Sequence, residues 1–311
     1  MKLIRPVKIL DAMLTATNVA ETSPAADEWD PATAYSVGNI VTVTTVDDGA
    51  AVATHDIYTC NTAHTNKDPT LIANIGTDNG WDRTNSTNRW RQFNGVLQQG
   101  TVNSNTITAS LLPGAITNNC AFFGVNAASI RVVMNDPIDG DVYDSTFSMI
   151  SDSGINNWYL YFTEEIVRTE RLLVTNLPIF PSATLSYTVT NTGSDAELGE
   201  FVMGRSFVIG DSQYGASFGI VDYSVKNTDE LGNTTVIQGA FSDTADINVV
   251  VSTGRFDEIQ RVLKNYRSTP LVWITEDTIS EAAVYGYYRN FRNTISGPVV
   301  STTLLQLEGL T

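Results

Sequence analysis

The chain has 311 residues, 42% of them hydrophobic and 17% charged, with a formal net charge of −16. That length exceeds what one hydrophobic core usually fills, so two or three domains are expected. The acidic balance argues against nucleic acid as a partner, because phosphate binding draws on clustered Lys and Arg, and no apolar run approaches the ~18 residues a membrane helix needs.

Residues 1–24 open with an apolar stretch, Leu3 to Leu14, broken by Pro6 and ending in the polar run Glu21-Thr22-Ser23-Pro24. Charges inside its apolar part exclude a secretion signal. The segment is too short to bury its own side chains and reads as an arm that pairs with another domain or subunit. Residues 25–85 form a small module with strands expected at Ile40–Thr45, Asp56–Cys60 and around Trp81, and a turn at Asp47-Asp48-Gly49. A linker, Thr84 to Asn88, follows. Residues 86–205 alternate apolar and polar side chains at Thr106–Leu111, Ser129–Met134 and Thr184–Thr190, with turn clusters at Pro113-Gly114, Asp136-Pro137, Asp139-Gly140 and Asn191-Thr192-Gly193. This pattern predicts a β-sandwich.

Residues 206–311 predict an α+β unit. Strands are expected at Ser206–Ile209, Ser217–Tyr223, Thr234–Phe241, Asp246–Val251, Leu271–Thr275, Ala282–Arg289 and Thr302–Glu308, with a hairpin turn at Asp229 to Asn233. The helix of the unit is read at Arg255–Arg267, where Phe256, Ile259, Val262, Leu263 and Tyr266 recur at helical spacing and Pro270 ends the pattern. The fold class is therefore mainly β and multidomain, with a small module, a jelly-roll-like sandwich and one helix on an antiparallel sheet.

Two stretches carry resemblances. Trp29, Tyr35-Ser36-Val37-Gly38-Asn39-Ile40-Val41, Tyr58-Thr59-Cys60, Thr65, Pro69 and Trp81 together resemble the chitin-binding-like (type 3 carbohydrate-binding) module of chitinases, which also occurs as an insert in phage tail proteins. That likeness implies glycan contact through Trp29, Tyr35, Tyr58, His64 and Trp81. The family's pair of adjacent Trp is replaced here by Ala63-His64, so a spacer or protein-docking module stands beside the sugar-binding reading. Arg89 to Gly95 is loosely similar to the entry of a galactose-binding-like jelly roll. Over nearly its full length the chain resembles tail proteins of tailed bacteriophages and prophages. The residues that carry this include Met1 to Pro6, Gln213-Tyr214-Gly215-Ala216, Thr269-Pro270-Leu271-Val272-Trp273-Ile274, Tyr285-Gly286-Tyr287-Tyr288 and Leu307-Glu308-Gly309-Leu310-Thr311. The resemblance implies a tail-tip, baseplate or fibre-adaptor subunit, made in the host cytoplasm and located in the virion. Its partners would be other tail proteins, copies of itself and a host-surface glycan. It would be neither an enzyme nor a cofactor protein; the alternatives are a stand-alone carbohydrate-binding or host receptor-binding protein and a polysaccharide-degrading tailspike.

The remaining constellations fit ordinary structural roles. Gly210-Asp211-Ser212 is similar to the nucleophile block of lipolytic hydrolases, but that chemistry needs a base, and His55 and His64 both precede the serine. Asp136, Asp139, Asp141 and Asp144 could hold Ca²⁺, yet Asp-Pro and Asp-Gly are ordinary turn formers. Glu164 and Glu165 are adjacent in sequence, which does not make the facing pair a glycosidase uses. Cys60 and Cys120 lie in no metal or redox spacing and read as buried thiols. On the helix, Arg255, Arg261, Lys264 and Arg267 form a basic face. It is either a solvated surface or a docking face for an acidic neighbouring subunit.

Overall fold

The computed structural model describes residues 1–21, 27–45, 51–151, 157–163, 167–228, 232–276 and 282–310. The protein is mainly β. A large sheet, antiparallel at every pairing among the described residues, follows the hydrogen-bonded order Gly140–Ser148, Ser129–Asp136, Thr184–Val208, Lys2–Pro6, Leu271–Ile274, Ala283–Thr294, Val300–Gly309, Phe241–Ser252 and Asp211–Ser212. Asn119–Asn126 and Thr101–Leu111 branch from Thr184–Val208, and Ser217–Asp222 pairs with Phe241–Ser252.

The 25-residue strand Thr184–Val208 is the spine. Its first part alternates buried and half-buried residues, as a sheet with one covered face requires, whereas Leu198 to Gly204 are buried on both faces. At the turn expected at Asn191-Thr192-Gly193 the chain makes a short excursion out of the pairing, with Gly193 at φ +84° and the Asn191 side-chain amide donating to the Asp195 carbonyl at 2.7 Å, and the strand then resumes. Pairing with Thr101–Leu111 shifts register between Thr190 and Asp195, and the Gly193 amide donates to Asn105 Oδ1 at 2.9 Å. Residues 191–194 stand opposite Asn105 alone, so three extra residues are absorbed without ending the ladder.

The N-terminal stretch is built into this sheet. Lys2–Pro6 pairs with Gly204–Val208 on one side, and its residues 2–4 pair with Val272–Ile274 on the other. Gly204 permits the contact, since a Cβ there would lie 1.9 Å from the Arg5 carbonyl oxygen.

Four buried clusters organise the chain. The sandwich core includes Ile107, Leu111, Phe122, Ile130, Met134, Tyr187 and Phe201. The second core packs Ile259 and Leu263 of the helix Phe256–Asn265 against Ile247, Val249, Trp273 and Leu305. Between them lies a smaller cluster with Ile4, Phe123, Val272 and Tyr285. The fourth belongs to the module of residues 27–86, where Ile40–Thr45, Ala51–Cys60 and Trp81–Ser86 form adjoining strands. The linker expected at Thr84 to Asn88 is thus partly strand. The turns expected at Asp47 to Gly49 and Asp229 to Leu231 fall outside the described residues.

Candidate functional site

The module brings its predicted aromatics together, with their rings facing inward. Trp29, Tyr35, Tyr58 and Trp81 are all buried and form one cluster with Val41, Val43 and Cys60. Trp81 is 0% exposed and donates its indole N–H to the Lys67 carbonyl at 2.7 Å. Its ring lies edge-on to Tyr35, with centroids 5.0 Å apart, and to His64 at 4.7 Å. The Tyr35 hydroxyl accepts the Asp30 amide at 2.8 Å and tethers the strand's entry turn. Burial, and then the charge of nearby Lys67, hold the His64 imidazole below its ordinary range. Gly80 has φ +129° and lies against His64, where a Cβ would come within 3.1 Å of the ring. A module of about sixty residues has little else from which to build a core, so its large rings are used there. The apolar side chains it turns outward are aliphatic: Val37, Ile40, Leu71 and Ile72.

A polar knot ties the module to the rest of the chain. Buried His55, on Ala51–Cys60, contacts Glu21 through Nδ1 at 2.5 Å and Asp11 through Nε2 at 3.4 Å. Glu21 also pairs with Arg89 at 2.7 Å and accepts the Thr87 hydroxyl at 2.9 Å. Burial alone would raise the Glu21 carboxyl. The hydrogen bonds and charges of His55, Thr87 and Arg89 together bring it below the usual carboxylate range.

The four basic residues predicted at the helix divide into two kinds. Arg255 is engaged within the chain, stacking on Phe207 at 5.4 Å and donating to Glu258 Oε2 at 3.0 Å and to the Val208 carbonyl at 2.9 Å. Arg261, Lys264 and Arg267 are exposed. The helix begins after the 3₁₀ turn Thr253–Arg255 and ends at Asn265, slightly inside the predicted span.

The remaining candidates have local partners. Asp211–Ser212 is a short strand paired with Val249 and Val250, and the Ser212 hydroxyl donates to the Thr275 carbonyl at 3.0 Å. Asp136 accepts the amides of Ile138 and Asp139, Asp141 accepts from Asn135, and Asp144 holds Arg131 at 2.6 and 2.8 Å. Among the described residues no three His, Cys, Asp or Glu side chains converge as a metal site. Cys60 and Cys120 are buried free thiols. Glu164 and Glu165 lie outside the described residues.

Two features were not legible as sites. Glu200 is buried in the spine strand, where its carboxylate oxygens accept the Gly95 amide at 2.8 Å and the Tyr285 hydroxyl at 3.3 Å. Burial pushes its carboxyl up to about 8, outweighing both hydrogen bonds. The one sequence signal was an acid within the apolar run Leu198 to Met203. The second is an arm. Ser217–Asp222 pairs with Phe241–Ser252 on one side, and the chain continues as the two-stranded ribbon Val225–Thr228 and Thr234–Ile237. Every residue of these three strands outside Phe241–Ser252 is exposed, among them Phe218 (50%), Ile220 (67%), Val236 (57%) and Ile237 (59%).

No family model and no curated protein matches this chain. Among solved structures, chitosan-binding module 1 of a chitosanase/glucanase from Paenibacillus sp. IK-5 is similar to 38% of this chain and 84% of that module, at 12% identity and a TM-score of 0.25.

Proposed function

We propose that this chain is a structural subunit of a bacteriophage tail, a tail-tip, baseplate or fibre-adaptor protein, and that it works by assembly with copies of itself and with other tail proteins. One observation supports the reading above the rest: the arm from Ser217 to Ile237 carries Phe218, Ile220, Tyr223, Val225, Val236 and Ile237 exposed, with nothing of the described chain over them. Isolated apolar residues on a surface are ordinary, but a contiguous run along one ribbon marks a surface that another polypeptide covers. The module of residues 25–85 is then an accessory. Its inward rings and aliphatic outer surface favour a spacer or protein-docking role over sugar stacking, which needs exposed ring faces. Mass spectrometry of particles purified from a host carrying the gene tests the tail role directly. The protein is expected in stoichiometric amount among the tail proteins, and its absence from intact particles would end the proposal.

A further inference from the structure

The parts of this chain are joined in two different ways. The sandwich and the C-terminal unit share the strand Thr184–Val208, and the apolar cluster with Ile4, Phe123, Val272 and Tyr285 lies between them. The module of residues 27–86 has neither connection. Among the described residues its strands pair only with one another, and its buried apolar cluster has no member in common with that of the sandwich. Units joined without a large apolar interface move relative to one another by default.

What crosses this junction is polar. Glu21 and Arg89 lie on the chain before and after the module, and His55 reaches the same place from inside it. One Glu21 carboxylate oxygen meets both His55 and the Thr87 hydroxyl, and the other meets Arg89. The His55 side chain is 7% exposed and Glu21 23%. Further hydrogen bonds come from the exit segment, where the Thr87 amide donates to the His55 carbonyl at 3.0 Å and Asn85 Nδ2 donates to Gln99 Oε1.

The junction is also incompletely satisfied. His55 Nε2 and Trp90 Nε1 are buried there without a hydrogen bond among the described residues, although Asp11 lies 3.4 Å from the first, and the two rings meet at 5.1 Å. Buried polar atoms left in this state oppose docking. Glu21 is the group that His55, Thr87 and Arg89 all touch, so its loss leaves three partners uncompensated at once.

We infer that the module is carried on a hinge at residues 86–88 and latched against the body by the Glu21 carboxylate. With the latch intact the module keeps one orientation. Without that carboxylate it turns about its exit while both units stay folded. The inference goes beyond the tail reading and stands without it.

Single-molecule energy transfer tests this at picomolar concentration, where copies of the chain do not associate. Dyes are attached through Ile72→Cys in the module and Ile138→Cys in the sandwich, positions 88% and 91% exposed, while the buried Cys60 and Cys120 stay unlabelled. Wild type is expected as one narrow population. Glu21→Ala and Arg89→Met change residues outside the module, and each should raise the displaced fraction about tenfold or more. Glu21→Gln keeps an acceptor for Thr87 but no charge, and should act in the same direction and less. Limited proteolysis should find residues 27–86 as resistant as in wild type. A peak that stays in place in both Glu21→Ala and Arg89→Met overturns the inference, as does a broad wild-type distribution, which leaves nothing for Glu21 to latch. New cleavage inside residues 27–86 in these variants overturns it too, since the knot would then belong to the module's own fold.

Discussion

Compare the module of residues 27–86 with the arm of residues 217–237. Both are short, both alternate apolar and polar residues, and both include aromatics. In the module Trp29, Tyr35, Tyr58 and Trp81 turn their rings toward one another, and the strands around them close a core. Along the arm Phe218 and Tyr223 face solvent, and the ribbon of Val225–Thr228 and Thr234–Ile237 has no second layer on either face among the described residues. The difference lies in what completes each element. The module is finished by its own strands, whereas the described chain leaves the apolar side chains of the arm uncovered. Substitutions in the two regions should therefore act on different quantities, the first on stability and the second on association.

The largest effect is expected at Trp81. Replacing it with Ala removes the most buried ring of the module and leaves the Lys67 carbonyl without its indole donor. Large-to-small changes at such sites cost about 3–5 kcal/mol. That exceeds what a core of this size can spare, so Trp81→Ala should unfold residues 27–86 while leaving the sandwich intact. Limited proteolysis reads this as new cleavage confined to the module. Cleavage spread evenly along the chain would mean that the module and the body share one core.

That contrast also marks how far the sequence could be read. Helical spacing of Phe256, Ile259, Val262 and Leu263 located the helix, because a 3.6-residue apolar period arises from a half-buried helix and from little else. Alternation located Ser129–Asp136 and the start of Thr184–Val208 for the same reason. The order of Trp and Tyr in the module was equally plain, but which way a ring faces in a short strand depends on what covers it, and that is a tertiary fact. Val225–Thr228 escaped notice because four residues, Val-Lys-Asn-Thr, are too few and too polar to set a period. The N-terminal arm was recognised as a pairing segment, though nothing local could point to Gly204–Val208 and Val272–Ile274, some two hundred residues away or more. Glu200 was hidden for a related reason: a single acid in an apolar run looks like the outward face of a strand until both faces are found covered.

Glu200 provides the next prediction, and it sharpens the contrast because the exposed arm has no equivalent. In the folded chain its carboxyl is raised from 4.5 to about 8, chiefly by burial. At neutral pH the folded state therefore keeps a proton that the unfolded state has released. The sign follows: the stability associated with this group is full below about pH 4.5, falls as pH rises, and stops falling above about pH 8. The loss across that window is a few kcal/mol at most. Urea midpoints at pH 5 and pH 8.5 measure it. Glu200→Gln cannot ionise and should flatten the difference. An equal slope in the variant would show that the dependence comes from elsewhere.

The smallest expected effect on stability lies in the arm, and it tests the comparison most sharply. Phe218→Ser with Ile220→Ser removes side chains that are 50% and 67% exposed, so the folded monomer loses only the covered part of each. Surface changes away from caps, cavities and networks fall within about 0.5 kcal/mol. The measurement belongs at the lowest workable protein concentration, where self-association adds least to the apparent stability by mass action. There, the unfolding free energies with and without the two serines should differ by no more than about 1 kcal/mol. A loss of 2 kcal/mol or more would mean that Phe218 and Ile220 pack against their own chain in solution, and the arm would then be a part of the core rather than a surface held for a neighbour.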